Sequence, residues 1–391
     1  MKKYILLLFI MIISCVTVLG DETAAPKVDA QGAILIDAKT GRVLWGKNEN
    51  EELAMASTTK IMTAIVTLEN ADLSELVTVS RRAAGAPEVK MFLTTGEKIR
   101  LEYLLYALML QSSNDAAVAI AEHISGTVED FCKLMTEKAH EIGAVNTIFE
   151  TPNGLDLGNH HSTAHDMSLI TKYSLENSEF IKLINTPSIT ATSDKRTYSI
   201  TNKNRLLREF EGANGVKTGF TGKAGHCFVG AAKRNDMQLI SVVLASGWGN
   251  KGKEQKWVDT KQLLNYGFNN YKYENIVDEG AVSQPVDIDR SKTKSVETYF
   301  SEGLMLPLRK DEIQNIEIKI ELPKSKLAPV EEHEKIGTAK IFLGEQLLKE
   351  IDLNTAESAS RHDLKTSIEK ILNSWLEMIT YDEVKVILPE F

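Results

Sequence analysis

Ala56-Ser57-Thr58-Thr59-Lys60 runs directly into the apolar segment Ile61-Met62-Thr63-Ala64-Ile65-Val66. That junction predicts a helix whose first turn carries a serine and, three residues on, a lysine. Positions i and i+3 share one helix face, so the amine can reach the hydroxyl. A serine there also sits near the positive end of the helix dipole, which favours developing negative charge. The spacing alone is common, and its meaning depends on what the rest of the chain supplies.

Working outward, Gly32 to Lys47 reads as two apolar runs around Asp37-Ala38-Lys39-Thr40-Gly41, the pattern of a β-hairpin with a glycine-bearing turn. Val77 to Arg100 is turn-rich and reads as loop. Leu101 to Gln111 is apolar on most sides, hence a buried helix. A second helix, Ala116 to His123, follows, with Asn114 or Asp115 as its N-cap. Val128 to Ile142 is an amphipathic helix closed by Gly143, and Thr151 to His165 is a polar loop. Asp166 to Leu175 returns to helix. Thr197 to Thr201, Gly215 to Phe220, Gly225 to Ala232 and Leu239 to Ala245 read as strands of an antiparallel sheet, and Asp259 to Tyr271 as a closing helix. This is an α+β pattern of one sheet and a block of helices.

Beyond about residue 275 the texture changes to short runs between charged or proline-containing turns, with strict alternation from Ile316 to Leu322. A small β-sandwich domain from 280 to 357 is expected. The tail, 361 to 380, places Leu364, Ile368, Ile371, Leu372, Trp375 and Ile379 at helical spacing. Such a stripe fits a helix lying on a membrane or docked on its own domain. Val384 to Leu388 is either a strand or a second apolar contact.

The chain has 391 residues, 43% hydrophobic and 25% charged, enough for more than one domain with a real core. A net charge of −9 argues against a general nucleic-acid binder. Residues 1 to 20 have the basic start and apolar run of a secretory signal peptide, cut after Gly20. The rival reading lipidates Cys15. Three cysteines make no disulfide framework, and Cys132 and Cys227 read as buried thiols.

A catalytic serine needs a base. No Gly-x-Ser-x-Gly elbow occurs, and His160, His161 and His165 cluster in a loop without metal-ligand spacing, so they read as loop hydrogen-bonding groups. Gly215-Val216-Lys217-Thr218 is not a phosphate-binding loop. Lysine remains as the base, with Lys60 at the right offset. Burial and a second cation would lower its pKa, and Lys217 is the candidate cation. Ser112 and Asn114 lie at a helix–helix turn, where they either face a cleft or cap a helix. Gly219 on its strand can let a substrate backbone approach closely.

In order, Ser57-x-x-Lys60, Ser112-x-Asn114 and Lys217-Thr218-Gly219 resemble the motif set of class A β-lactamases and penicillin-binding proteins. Ala56 to Ala64, Ser113 to Ala117, Asn153-Gly154-Leu155, Ser162-Thr163-Ala164 and Gly215 to Thr221 with Ala224-Gly225 are similar to the serine D-Ala-D-Ala carboxypeptidases, the low-molecular-weight penicillin-binding proteins. Ala328-Pro329-Val330 with Ile336-Gly337 resembles that family's β-rich second domain. The resemblance covers residues 28 to 380 and implies a catalytic domain at 27 to 273 with a β-lactamase/penicillin-binding-protein fold.

The resemblance also implies a reaction. Ser57 attacks the carbonyl between the terminal D-alanines of a peptidoglycan stem peptide and Lys60 takes its proton. Ser112 relays protons among Lys60, Lys217 and the leaving amine. Asn114 orients the peptide, the N–H groups of Ser57 and Phe220 form the oxyanion hole, and Thr218 and Thr221 hold the carboxylate. No cofactor or metal is implied. β-Lactams would be covalent inhibitors, and the protein would be exported, with peripheral contact to the outer face of the cytoplasmic membrane. Lys256 stands where the family usually has arginine, which loses the bidentate fork. Ser113 and Asn214 are departures without expected consequence. A class A β-lactamase is the enzymatic alternative, but its Glu-x-x-Leu-Asn element is missing between Asn114 and Lys217. A non-catalytic penicillin-binding module is the other.

Overall fold

The computed structural model describes residues 25–87, 89–362 and 364–382, in two compact units that divide between Asn270 and Tyr271. The signal-peptide and Cys15 readings, and the one on 384–388, lie outside the described residues.

The first unit contains β1 (Gly32–Asp37), β2 (Val43–Lys47), α1 (Lys60–Asn70), β3 (Leu76–Thr78), α2 (Arg81–Ala84), β4 (Lys98–Arg100) and α3 (Leu101–Tyr106). It continues with α4 (Asn114–Ser125), α5 (Val128–Glu141), α6 (Ala164–Ser174), α7 (Ser178–Asn185), β5 (Ser188–Thr192), β6 (Thr197–Thr201) and α8 (Leu206–Glu209). β7 (Ala213–Thr221), β8 (Gly225–Arg234), β9 (Met237–Leu244) and α9 (Gly249–Asn270) complete it.

The main sheet runs β2-β1-β9-β8-β7, all antiparallel. Every residue of β1 is buried, and β8 and β9 are nearly so, which is why they read as continuous apolar runs rather than alternations. α9 packs on the sheet where glycine leaves room: a Cβ on Gly267 would stand 2.5 Å from Leu239. Ile34 and Ile36 of the sheet share one core with Ile61, Ile65, Leu104, Ile120, Phe131 and Ile170 of the helical block. At the centre of that block is α1, buried without interruption from Lys60 to Thr67.

Three expectations need correction. Helix α4 starts at Asn114, with Ser113 as an N-cap that makes no side-chain cap bond. Asn114 and Asp115 do not cap because their side chains serve other partners: Asp115 accepts from the N–H groups of Met91 and Leu93 at 3.1 and 3.0 Å. The closing helix begins at Gly249, ten residues early, because its Gly- and Lys-rich start carries no apolar period. The 77–100 segment holds the short elements β3, α2 and β4. The Leu101–Gln111 helix also changes character, widening to a π turn over Ala107–Gln111 before Ser112 turns left-handed at φ 67°.

In the second unit are β10 (Lys272–Val277), β11 (Val286–Asp289), β12 (Ser295–Val296), β13 (Thr298–Phe300), β14 (Leu304–Leu308), α10 (Lys310–Ile313) and β15 (Ile316–Glu321). β16 (Ser325–Leu327), β17 (Lys335–Leu343), β18 (Gln346–Thr355) and α11 (Leu364–Asp382) follow. The pair β10-β14 and the sheet β13-β18-β17-β15 enclose a shared core of Val277, Phe300, Leu306, Leu308, Ile341 and Leu353. This is the β-sandwich expected, with one unforeseen helical turn, α10. On α11, Ile368, Ile371, Leu372 and Trp375 are between 50% and 64% exposed. No helix among the described residues is long and apolar enough to cross a membrane.

Candidate active site

Ser57 sits in a 3-10 turn, Ala56–Thr59, that feeds α1. Lys60 is the first residue of α1 and is fully buried. Its Nζ donates to Ser57 Oγ at 2.9 Å, to Asn114 Oδ1 at 2.8 Å and to the Asn153 carbonyl at 2.5 Å. Burial holds the Lys60 amine well below its ordinary pKa, and the Lys217 charge pushes it the same way, against an opposing pull from Asp115.

Lys217 lies on β7, the edge strand of the main sheet. It is also buried, and burial reinforced by Lys203 brings its pKa down to about 7. Its Nζ donates to Ser112 Oγ at 3.0 Å and to its neighbour Thr218's carbonyl at 2.9 Å. The Ser112 hydroxyl is therefore tied to Lys217, and no bond joins it directly to Lys60 among the described residues.

Above this floor opens a cavity of about 560 Å³. Ser57, Ser112, Thr218, Gly219, Phe220 and Lys256 all line it. Gly219 also has a packing role. A Cβ there would stand 2.9 Å from the Ser57 nitrogen, so what approaches closely is the nucleophile's own turn. Phe220 is half exposed and stacks on His226 at 4.3 Å. Thr221 lies outside the wall: its hydroxyl donates to Asp156 and accepts from the Ala224 N–H, locking the β7–β8 turn. Lys256 lines the cavity from α9, but its amine donates to the Lys253 carbonyl at 2.7 Å and lies 5.0 Å from the Trp257 ring. Burial lowers its pKa to about 8.

Sequence reasoning missed several participants. The Asn153 carbonyl takes hydrogen bonds from both Lys60 and Ser57, the latter at 3.3 Å, and a backbone acceptor leaves no side-chain signal. Gly154 beside it has φ 84°, and a Cβ there would collide with the Ala56 carbonyl at 1.9 Å. Lys203, Arg205 and Lys253 make the cavity wall cationic. Arg205 is held by Glu209 and Glu254, each within 2.7 Å. A larger cavity, about 750 Å³, also touches Asn153 but is lined by groups such as Cys132, Phe149 and Leu155 and has no nucleophile–base pair.

Residues 20–247 match the family model described as D-alanyl-D-alanine carboxypeptidase. The chain belongs to the D-alanyl-D-alanine carboxypeptidase family. Residues 271–361 match the C-terminal domain of penicillin-binding protein 5. The chain is 31% identical over 364 residues to D-alanyl-D-alanine carboxypeptidase DacF of Bacillus subtilis (strain 168), covering 91% of this chain and 92% of that one. It is 30% identical over 352 residues to DacC of Escherichia coli (strain K12), covering 85% of each. Among solved structures, penicillin-binding protein 5 from Haemophilus influenzae aligns with a TM-score of 0.73 at 28% identity, over 86% of this chain and 99% of that one. Within this carboxypeptidase fold, the motif residues Ser57, Lys60, Ser112, Asn114 and Lys217 converge on one site from three stretches of chain, at 57–60, 112–114 and 217.

Proposed function

We propose that this protein is a D-alanyl-D-alanine carboxypeptidase that removes the terminal D-alanine from peptidoglycan stem pentapeptides through an acyl-enzyme on Ser57. The observation that carries this reading is the fully buried Lys60 amine 2.9 Å from Ser57 Oγ. A neutral amine has two N–H groups and one lone pair. Its N–H groups stay on Asn114 Oδ1 and the Asn153 carbonyl, and its lone pair replaces the N–H aimed at Ser57 Oγ once the Ser57 hydroxyl turns from the Asn153 carbonyl to the amine.

Ser57 Oγ attacks the penultimate D-alanine carbonyl as its proton passes to Lys60. The resulting oxyanion is held by the N–H groups of Ser57 and Phe220, each donor contributing about 3 kcal/mol. Asn114 orients the peptide, and Thr218 and the cationic wall with Lys256 hold the terminal carboxylate. Thr221 acts on that carboxylate only through the turn it locks. When the C–N bond breaks, Ser112 protonates the leaving amine and Lys217 resupplies Ser112, and the proton that Lys60 took from Ser57 then replaces the one Lys217 gave. Water then attacks the ester and restores Ser57. A β-lactam would acylate Ser57 in the same way.

In this reading the catalytic domain spans 27–273, the β-rich domain 280–357, and an exported chain rests on the outer face of the membrane through the 361–380 helix. The exposed Ile368, Ile371, Leu372 and Trp375 support that contact. Co-sedimentation with anionic vesicles should fall severalfold in Leu372→Ser/Trp375→Ser, and unchanged binding would end the membrane assignment. The reaction itself is tested by mass spectrometry of peptidoglycan incubated with the enzyme. Pentapeptides should lose one alanine, and Ser57→Ala should lose both this activity and β-lactam labelling. Activity retained in Ser57→Ala would sink the assignment.

A further inference from the structure

The loop histidines have distinct surroundings. His161 bonds the Asn159 carbonyl and His165 lies beside Asp166, whereas His160 is 3% exposed and reaches toward the nucleophile's turn. The Glu150 N–H donates to His160 Nδ1 at 3.0 Å. A backbone N–H can only donate, so Nδ1 is the acceptor and the neutral ring carries its proton on Nε2. Burial keeps the ring neutral, lowering its pKa to about 4. Nε2 lies 2.8 Å from Thr59 Oγ1, and the Thr59 hydroxyl donates to the Ala56 carbonyl at 2.8 Å. Each hydrogen bond thus has a defined direction, from Glu150 through His160 and Thr59 to Ala56.

The end of that chain matters because Ala56 precedes Ser57. Ala56 has φ 50°, a left-handed conformation that alanine seldom takes. Its carbonyl also packs on Gly154, as described above. The Ala56 carbonyl and the Ser57 N–H belong to one planar peptide group. Fixing the oxygen therefore fixes the direction of the N–H.

We infer that His160 is a positioning residue that acts through Thr59 to hold the Ala56–Ser57 peptide, aiming the Ser57 N–H at the oxyanion. This rests on the proposed acyl-enzyme reaction. The N–H is used most strongly in the transition state, so its misalignment lowers kcat rather than raising KM.

The test compares His160→Ala, His160→Gln and Thr59→Val for D-alanine release, with thermal melting as a check of folding. His160→Ala should lower kcat about tenfold with KM within about twofold, as expected for one lost hydrogen bond. Glutamine can accept from Glu150 and donate to Thr59, so His160→Gln should recover most of the rate. The double variant His160→Ala/Thr59→Val should be no slower than the worse single one, because both break the same chain. A folded His160→Ala with wild-type kcat, or fully additive losses, would overturn the inference. Nitrogen-15 NMR of the unaltered protein should show the His160 proton on Nε2, and a proton on Nδ1 would overturn it irrespective of activity. A wild-type protein that released no D-alanine would instead count against the proposed function.

Discussion

The floor and the wall of the cavity both carry basic side chains, yet they are built in opposite ways. On the floor, Lys60 and Lys217 are buried, each amine has named hydrogen-bond partners, and both pKa values are pushed down. On the wall, Lys203 and Lys253 are exposed and Arg205 shares its charge with Glu209 and Glu254, with Lys256 the buried exception. Buried amines in fixed geometry can exchange protons at neutral pH, whereas solvated cations attract an anion and are screened by salt. Under the proposed function, chemistry falls to the floor and recognition to the wall.

The largest effect should come from the floor. Lys60→Ala should slow acylation by a β-lactam about a thousandfold at neutral pH, within the range for loss of a general base. Rapid single-turnover acylation in this variant would break the division. Gly219→Ala tests the joint between floor and wall, since its new Cβ would press on the Ser57 nitrogen at 2.9 Å. A fall in kcat/KM of about a hundredfold is expected for a nucleophile displaced in this way. A rate near wild type would mean that the turn yields freely. Lys253→Ala should be mildest, raising KM about threefold at low salt with kcat unchanged, and the difference should vanish at high salt. An effect on kcat would move Lys253 from the wall to the floor.

Much of this site was legible in the sequence because its residues carry chemistry in their side chains. Ser57, Lys60, Ser112, Asn114 and Lys217 stand in motif order, and the i, i+3 spacing explained why the first two touch. The illegible parts belong to the backbone. The Asn153 carbonyl has no residue signature, the π turn before Ser112 looks like any apolar helix, and Gly219 gives no sign of which neighbour its missing Cβ accommodates. Asn114 and Asp115 have the residue types of helix caps, and only tertiary packing turned both inward to other work. In the second unit the alternation around Ile316 announced β structure, while the three-dimensional pairing of β11 with β16, a parallel one, was invisible in either strand.

Among the described residues the main sheet stops at β7, so the strand bearing Lys217 and Thr218 pairs on one side only. An open sheet edge is ordinarily a hazard, because its free backbone groups invite any extended chain. Here the turn of Ser57 crowds against Gly219 and narrows that invitation to one place. A peptide that adds to a sheet edge is read by its main chain, with side chains contributing little to the pairing itself. Under the proposed reaction, selectivity would then depend on where the guest chain ends, and a peptide one residue longer at its carboxyl end should be cleaved more slowly.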